Sequence, residues 1–293
     1  MNARLVRFFR FVFLAASVIA SCVLVPVSRA QESRGAEAGD FDYYVLALSW
    51  SPTFCDSRAD DDNGRDRYDR GGYSRYHFYG GHNSYNRYDH YDRYDDDWGG
   101  GYGRRRSDSG EQCNSSRPYS FVLHGLWPQY DRRGWPEMCE TGRRPWVPQD
   151  TIDGMMDIMP SRQLVIQEYK KHGVCSGLDA RDYFKTAKDA YGSIHIPDEY
   201  QDLSKSLSVS PEDIKHAFLD ANKQLSPDMI QVVCSRRLLR EVRVCLSKDL
   251  TPRACSPREQ SRRLCNYDSV MMPPVRGAGV GAHGGPSRRS DRM

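Results

Sequence analysis

Tyr119-Ser120-Phe121-Val122-Leu123-His124-Gly125-Leu126-Trp127-Pro128 is the stretch from which the rest of the chain is best read. Phe121, Val122 and Leu123 favour extended backbone, so 119–123 reads as a strand. His124 stands where that strand meets a glycine turn, with an indole and a proline close behind. Such a histidine can act as an acid beside a surface on which a base stacks. Taken alone, it is as readily a hydrogen-bonded core histidine. Upstream, Phe41, Tyr43, Val45, Ala47 and the apolar residues between them form another strand within 40–55, closed at Trp50-Ser51-Pro52. Downstream, Ser161 can cap a helix over 162–172, with Gly173 as its C′ residue. A second helix is expected at 179–191. Ser210 caps a third that opens at Pro211 and runs to about Leu225. Residues 229–234 and 238–246 read as strands. Strands and helices mix without a βαβ rhythm, so the fold class is α+β.

The predicted helix over 162–172 carries the second chemical signal, Gln167-Glu168-Tyr169-Lys170-Lys171-His172-Gly173-Val174-Cys175. Glu168, Lys171 and His172 stand at i, i+3 and i+4 and therefore share a face. A carboxylate, an ammonium and an imidazole then reach one point. The imidazole can exchange a proton near neutral pH, and the ammonium can stabilise an oxyanion as its charge develops. The triplet alone also fits a solvated helix face. Together with His124 it fits phosphoryl transfer from an RNA 2′-hydroxyl. One histidine removes the 2′-OH proton, the other protonates the departing 5′-oxygen, and a cation stabilises the charged phosphorane. RNA supplies its own nucleophile, so neither a metal nor a cofactor is expected.

Bulk charge hides this. The 293 residues hold 42 Lys and Arg against 39 Asp and Glu, a formal +3. Residues 1–30 contribute four Arg and no acid, and 270–293 contribute four Arg against one Asp. Residues 56–112 hold ten Arg and thirteen acids. The remainder is close to neutral, so no global field draws nucleic acid onto the protein. The segment 56–112 contains half of the eighteen tyrosines and no Val, Ile, Leu or Met. It cannot bury enough apolar surface to offset its ordering entropy and reads as a disordered low-complexity insertion. Its tyrosines and arginines could contact RNA, but its net negative charge opposes a polyanion. The tail 270–293 is rich in Gly, Pro and Arg and is also expected to be disordered. One catalytic domain over 31–269 remains, of which about 180 residues build the core.

Arg4, Arg7 and Arg10 precede an apolar run from Phe11 to Val27, and Ser28-Arg29-Ala30 offers a cleavage site. Residues 1–30 thus read as a signal peptide cut after Ala30, giving a secreted or periplasmic protein. Ile19-Ala20-Ser21-Cys22 also resembles a lipoprotein box, so membrane attachment through acylated Cys22 is the alternative. Without acylation the mature form has no membrane span and is expected to be a monomer. Eight cysteines follow the leader: Cys55, Cys113, Cys139, Cys175, Cys234, Cys245, Cys255 and Cys265. An even count in an exported chain implies four disulfides, out of about a hundred possible pairings.

The segment His124-Gly125-Leu126-Trp127-Pro128 resembles the first active-site motif of the ribonuclease T2 family. Glu168-Tyr169-Lys170-Lys171-His172-Gly173-Val174-Cys175 resembles the second, and the strand ending Ser49-Trp50-Ser51-Pro52-Thr53-Phe54-Cys55 is similar to the family's opening. The resemblance implies a mainly antiparallel sheet flanked by helices. It implies an endoribonuclease acting on single-stranded RNA through a 2′,3′-cyclic phosphate, with His172 as base, His124 as acid, and Glu168 and Lys171 stabilising the transition state. Trp127 would flank the base 5′ to the cut, and Trp135 would supply a second stacking surface, giving low base specificity. Gln167 stands where many members have a phosphate-binding histidine, and Gln129 where purine readers have an acid. The first departure leaves open an alternative, a weakened or inactive secreted RNA-binding protein on the same scaffold. The resemblance also implies the pairs Cys139–Cys175, Cys234–Cys265 and Cys245–Cys255, which leaves Cys55 with Cys113 across the insertion.

Overall fold

The computed structural model describes residues 33–34, 36–57, 110–132, 134–261 and 264–276. The expected leader, nearly all of the expected insertion (58–109) and most of the expected tail (277–293) lie outside these residues. The elements in chain order are β1 (Ser33–Arg34), β2 (Tyr43–Trp50), α1 (51–57), α2 (Gly110–Cys113), β3 (Phe121–Gln129), β4 (Pro136–Glu137), α3 (Gln149–Met155) and α4 (Arg162–Lys171). There follow α5 (Ala180–Gly192), α6 (Asp198–Gln201), β5 (Leu207–Val209), α7 (Pro211–Ala221), β6 (Ile230–Ser235), β7 (Leu238–Leu246), α8 (Pro257–Ser261) and β8 (Val270–Met272). This is the α+β class expected from the sequence.

β2 lies between β3 and β7, antiparallel to both. With a strand on each side and both faces covered, it reads as an unbroken apolar run rather than an alternation. Tyr44, Leu46, Leu48 and Trp50 point into the main core, whereas Tyr43, Val45 and Ala47 join Trp127, Cys245 and Cys255 on the opposite face. β6 pairs antiparallel with β7 on its far side, and β5 and β8 extend the sheet. Helices cover the main-core face. α4 contributes Leu164, Val165 and Tyr169, α5 contributes Tyr183, Phe184, Ala187 and Ala190, and α7 contributes Ile214 and Phe218.

β3 departs from expectation in an informative way. It does not stop at a turn after His124 but continues through Gly125 to Gln129. The register shifts instead: Leu48 pairs with Leu123 and Ala47 with Gly125, so His124 is the extra residue of a β-bulge. The bulge resets the alternation. Leu123 and Leu126, an odd number of positions apart, both reach the main core, and His124 falls on the other face with Trp127.

Other boundaries differ for local reasons. α4 begins where expected, with the Ser161 hydroxyl accepting from Leu164 N–H at 3.2 Å. Gly173 is not a left-handed C′ residue; the chain tightens into a 3₁₀ turn over Gly173–Ser176 and stops at Gly177, φ +77°. Gly173 is required for space, because a Cβ there would lie 2.5 Å from the Tyr169 ring. α7 ends at Ala221 rather than near Leu225, since the Asn222 side chain binds both N–H and C=O of His195 at 2.7 Å. The tail expected to be disordered from 270 is structured at its start. Val270 and Met272 are buried in β8, and the Trp50 indole donates to Pro273 C=O at 3.1 Å. The expected insertion also begins inside α1 and ends inside α2.

Four disulfides close the chain: Cys55–Cys113, Cys139–Cys175, Cys234–Cys265 and Cys245–Cys255. This is the pairing implied by the resemblance. The first spans 58 residues, and in a chain-entropy picture such a link destabilises the unfolded ensemble by about 4 kcal/mol.

Candidate active site

Three elements deliver side chains to one point on the face opposite the main core. β3 brings His124 and Trp127, α4 and its C-cap residue bring Glu168 and His172 one turn apart, and β7 brings Glu241 and Arg243 at i and i+2. The Trp127 indole N–H donates to Glu168 Oε2 at 2.7 Å. His124 stands edge-on to Trp127, ring centres 5.1 Å apart, and His172 lies 5.4 Å from the same indole. The indole therefore contacts both imidazoles. His124 Nε2 lies 3.7 Å from Glu168 Oε1, and its Nδ1 lies 2.7 Å from Glu241 Oε1. Arg243 packs its guanidinium 4.9 Å from the Trp127 ring centre and binds Glu241 Oε2 through Nε and Nη2, each at 2.8 Å.

Close approach, not a turn, explains Gly125. A Cβ there would stand 2.2 Å from Glu168 Oε2 and 2.4 Å from Trp127 Nε1. Any side chain would break the indole–carboxylate bond. Tyr183 donates its hydroxyl proton to Leu126 C=O at 2.9 Å and so fixes the β3 backbone next to Trp127.

Burial and charge set the titration of the cluster. Burial pushes His172 well below the ordinary histidine pKa, and Lys171, His124 and Arg243 push it further the same way. His172 Nδ1 is buried without a hydrogen-bond partner. The ring is therefore neutral at neutral pH, the form that can accept a proton. Glu241 goes the other way. Burial opposes its charge, but Arg243, His124 and Arg240 outweigh burial and hold its carboxyl well below the usual range. The site thus sets a neutral imidazole opposite an imidazole bonded to a fixed carboxylate.

Residues 94–255 match the sequence profile of the ribonuclease T2 family. A ribonuclease of Aeromonas hydrophila is 30% identical over 265 residues, which cover 88% of this chain and 98% of that protein. The chain belongs to the ribonuclease T2 family. Ribonuclease I of Escherichia coli is 24% identical over 268 residues, 77% of this chain and 83% of its own. The RNase-related protein from Calystegia sepium shares the fold, with a TM-score of 0.53 at 20% identity over 80% of this chain and 98% of that one. The enzyme class of this T2 chain is endoribonuclease.

The T2 motifs do not all converge equally. His124, Trp127, Glu168 and His172 form one cluster. Lys171 is partly exposed beside it, with Nζ 3.9 Å from Glu137 Oε2. Trp127 is only 6% exposed, its ring taken up by Arg243 and His172, so it offers little open surface to a base. Trp135 is partly buried just before β4, Gln129 is buried at the end of β3 opposite Tyr43, and Gln167 is partly buried on α4. His195 and His216 are exposed beside Asp198 and Glu212. Among the described residues, no group of three or more His, Cys, Asp or Glu side chains is arranged to hold a metal ion. Reading the motifs missed Glu137, Glu241 and Arg243. For the last two a signal existed: in Glu241-Val242-Arg243-Val244 the charges alternate with apolar residues inside a strand, so an acid and a base share one face.

Proposed function

We propose that this T2 enzyme cleaves single-stranded RNA without a metal, through a 2′,3′-cyclic phosphate and then a slower hydrolysis to a 3′-phosphate. His172 accepts the 2′-OH proton as the oxygen attacks phosphorus, and His124 donates a proton to the departing 5′-oxygen. Lys171 and Glu168 stabilise the charge that builds on the phosphorane, with Glu168 aimed by the Trp127 indole. Trp135, with the less accessible Trp127, offers sequence-tolerant stacking, so base specificity is low. Gln129 and Gln167 supply neutral hydrogen bonds at the base and phosphate positions. Export to an oxidising compartment, through residues 1–30, fits the four disulfides.

The observation that carries this reading is the packing of two imidazoles against one indole, one buried and neutral, the other bonded to Glu241. The test is RNA cleavage in EDTA with analysis of the ends. Cyclic-phosphate and 3′-phosphate termini are expected. His124→Ala and His172→Ala should each lower kcat by about 10²–10⁴-fold, the usual worth of a general acid or base. Chelator-sensitive cleavage, or 5′-phosphate ends, would overturn the mechanism.

A further inference from the structure

Glu241 lies on β7, two strands from His124 on β3, yet their side chains bond at 2.7 Å. Adjacent strands are about 4.8 Å apart, so β3 and β7 are separated by about 10 Å. The intervening strand makes the bond possible. On that face the stretch of β2 between His124 and Glu241 presents Ala47 and Ser49, paired with Arg243 and Glu241 on one side and with Gly125 and Val122 on the other. Two small side chains leave a trough over β2 in which the imidazole and the carboxylate meet. Glu241 is buried to 1% exposure and braced from behind, with Arg243 on Oε2 and Glu259 Oε1 3.8 Å from Arg243 Nη1. Arg243 thus holds Oε2, while Oε1 takes His124 at 2.7 Å with Arg240 Nε 3.7 Å away.

We propose that Glu241 is the positioning residue of the general acid: its carboxylate, held by Arg243 across the trough over Ala47 and Ser49, fixes the His124 tautomer and keeps the ring protonated. This deepens the assignment of His124 as the acid and rests on it. An ionised carboxylate only accepts, so Nδ1 keeps its hydrogen and Nε2 carries the proton that moves. In the reaction the 2′-O–P bond forms as the P–O5′ bond breaks. The 2′-hydroxyl proton goes to His172, and the Nε2 proton of His124 goes to O5′. The Nδ1–H to Glu241 bond persists throughout, with Glu241 neutralising the ring's charge before the transfer and holding its plane after it.

Two substrates separate this role from a structural one. In a dinucleoside monophosphate the leaving 5′-alkoxide needs a proton. In uridine 3′-(4-nitrophenyl phosphate) the leaving phenolate departs without one. Glu241→Gln should lower kcat on the dinucleoside by about 10- to 100-fold with KM within about twofold. The loss on the aryl ester should be at least about tenfold smaller. The alkaline limb of the dinucleoside pH profile should move to lower pH by about one unit or more, because the imidazolium has lost the nearer of its two carboxylates, Glu168 Oε1 remaining 3.7 Å from Nε2. Glu241→Asp keeps the charge but stands one methylene short. It should keep the alkaline limb near the wild-type position with a reduced kcat, and it serves as the test if the Gln variant does not fold. Equal losses on both substrates, a loss confined to KM, or an unmoved limb in Glu241→Gln would overturn the proposal, as would a displaced limb in Glu241→Asp. Wild-type protein that cleaves neither substrate would instead refute the ribonuclease mechanism.

Discussion

Gly125 shows how tightly this site is built at the level of single atoms. Its hydrogen faces the bond between the Trp127 indole and Glu168, where a methyl group would sit 2.2 Å from the carboxylate oxygen. Gly125→Ala must therefore push Glu168 or Trp127 aside. Overpacking of this kind costs about 1–3 kcal/mol, and the displaced groups border both imidazoles. We expect Gly125→Ala to lower kcat by about 100-fold or more, with urea unfolding shifted by that modest amount. A variant with wild-type kcat would mean that the indole–carboxylate bond does not matter to the chemistry. The same scale marks the limit of reading by sequence. His124, Trp127, Glu168 and His172 are legible because each pair lies within one short segment, where strand or helix geometry fixes its spacing. Glu241 and Arg243 are more than a hundred residues from His124, and only the pairing of β7 with β2 brings them to it. Glu137 is hidden for a related reason: it reaches Lys171 from β4, a strand of two residues with no pattern to announce it.

At the scale of elements, the β3 bulge and the α4 helix divide the work of alignment. The bulge is the feature that sequence reading renders as a turn. A glycine after a histidine looks like punctuation, but with β2 on its flank the backbone hydrogen bonds are best met by continuing the strand with one extra residue. α4 was far more legible. Its Ser161 cap, its apolar Leu164 and Val165 and its two-site spacing all act within ten residues. The cap also separates stability from chemistry. Ser161 lies at the opposite end of α4 from His172, so Ser161→Ala should cost about 1 kcal/mol of stability while leaving kcat within about twofold. Thermal melts and single-turnover cleavage on the same preparation check both halves. A large fall in kcat would show that the first turn of α4, not only its packing against the core, sets the position of Glu168 and His172.

Over the whole molecule, the buried titratable groups couple the site to the stability of the fold. His172 is buried and its pKa lies well below that of an ordinary histidine, whereas in the unfolded chain it titrates near 6.5. Between those two values the unfolded state binds a proton that the folded state refuses, so stability falls as pH drops below about 6.5. Glu241 acts in the same direction at lower pH. Its folded pKa is depressed, so its contribution is complete above the unfolded carboxylate value and is lost as pH falls through the folded one. The four disulfides restrain the unfolded chain at every pH and do not alter this slope. Urea unfolding between pH 7 and pH 4 should therefore show stability declining toward acid. One proton of difference corresponds to about 1.4 kcal/mol per pH unit. His172→Gln removes a group that just below pH 6.5 binds a proton only on unfolding, so it should flatten the decline there by up to that amount while leaving the lower, carboxylate-dependent part in place. The same burial keeps His172 unprotonated, and so able to act as a base, well into the acid range. The acidic limb of kcat/KM should accordingly fall below pH 6.5, inside the window where the fold itself is weakening. If the limb lay above that value, or the decline survived His172→Gln intact, the histidine would have to be solvated in solution and its burial could not be what keeps the base neutral.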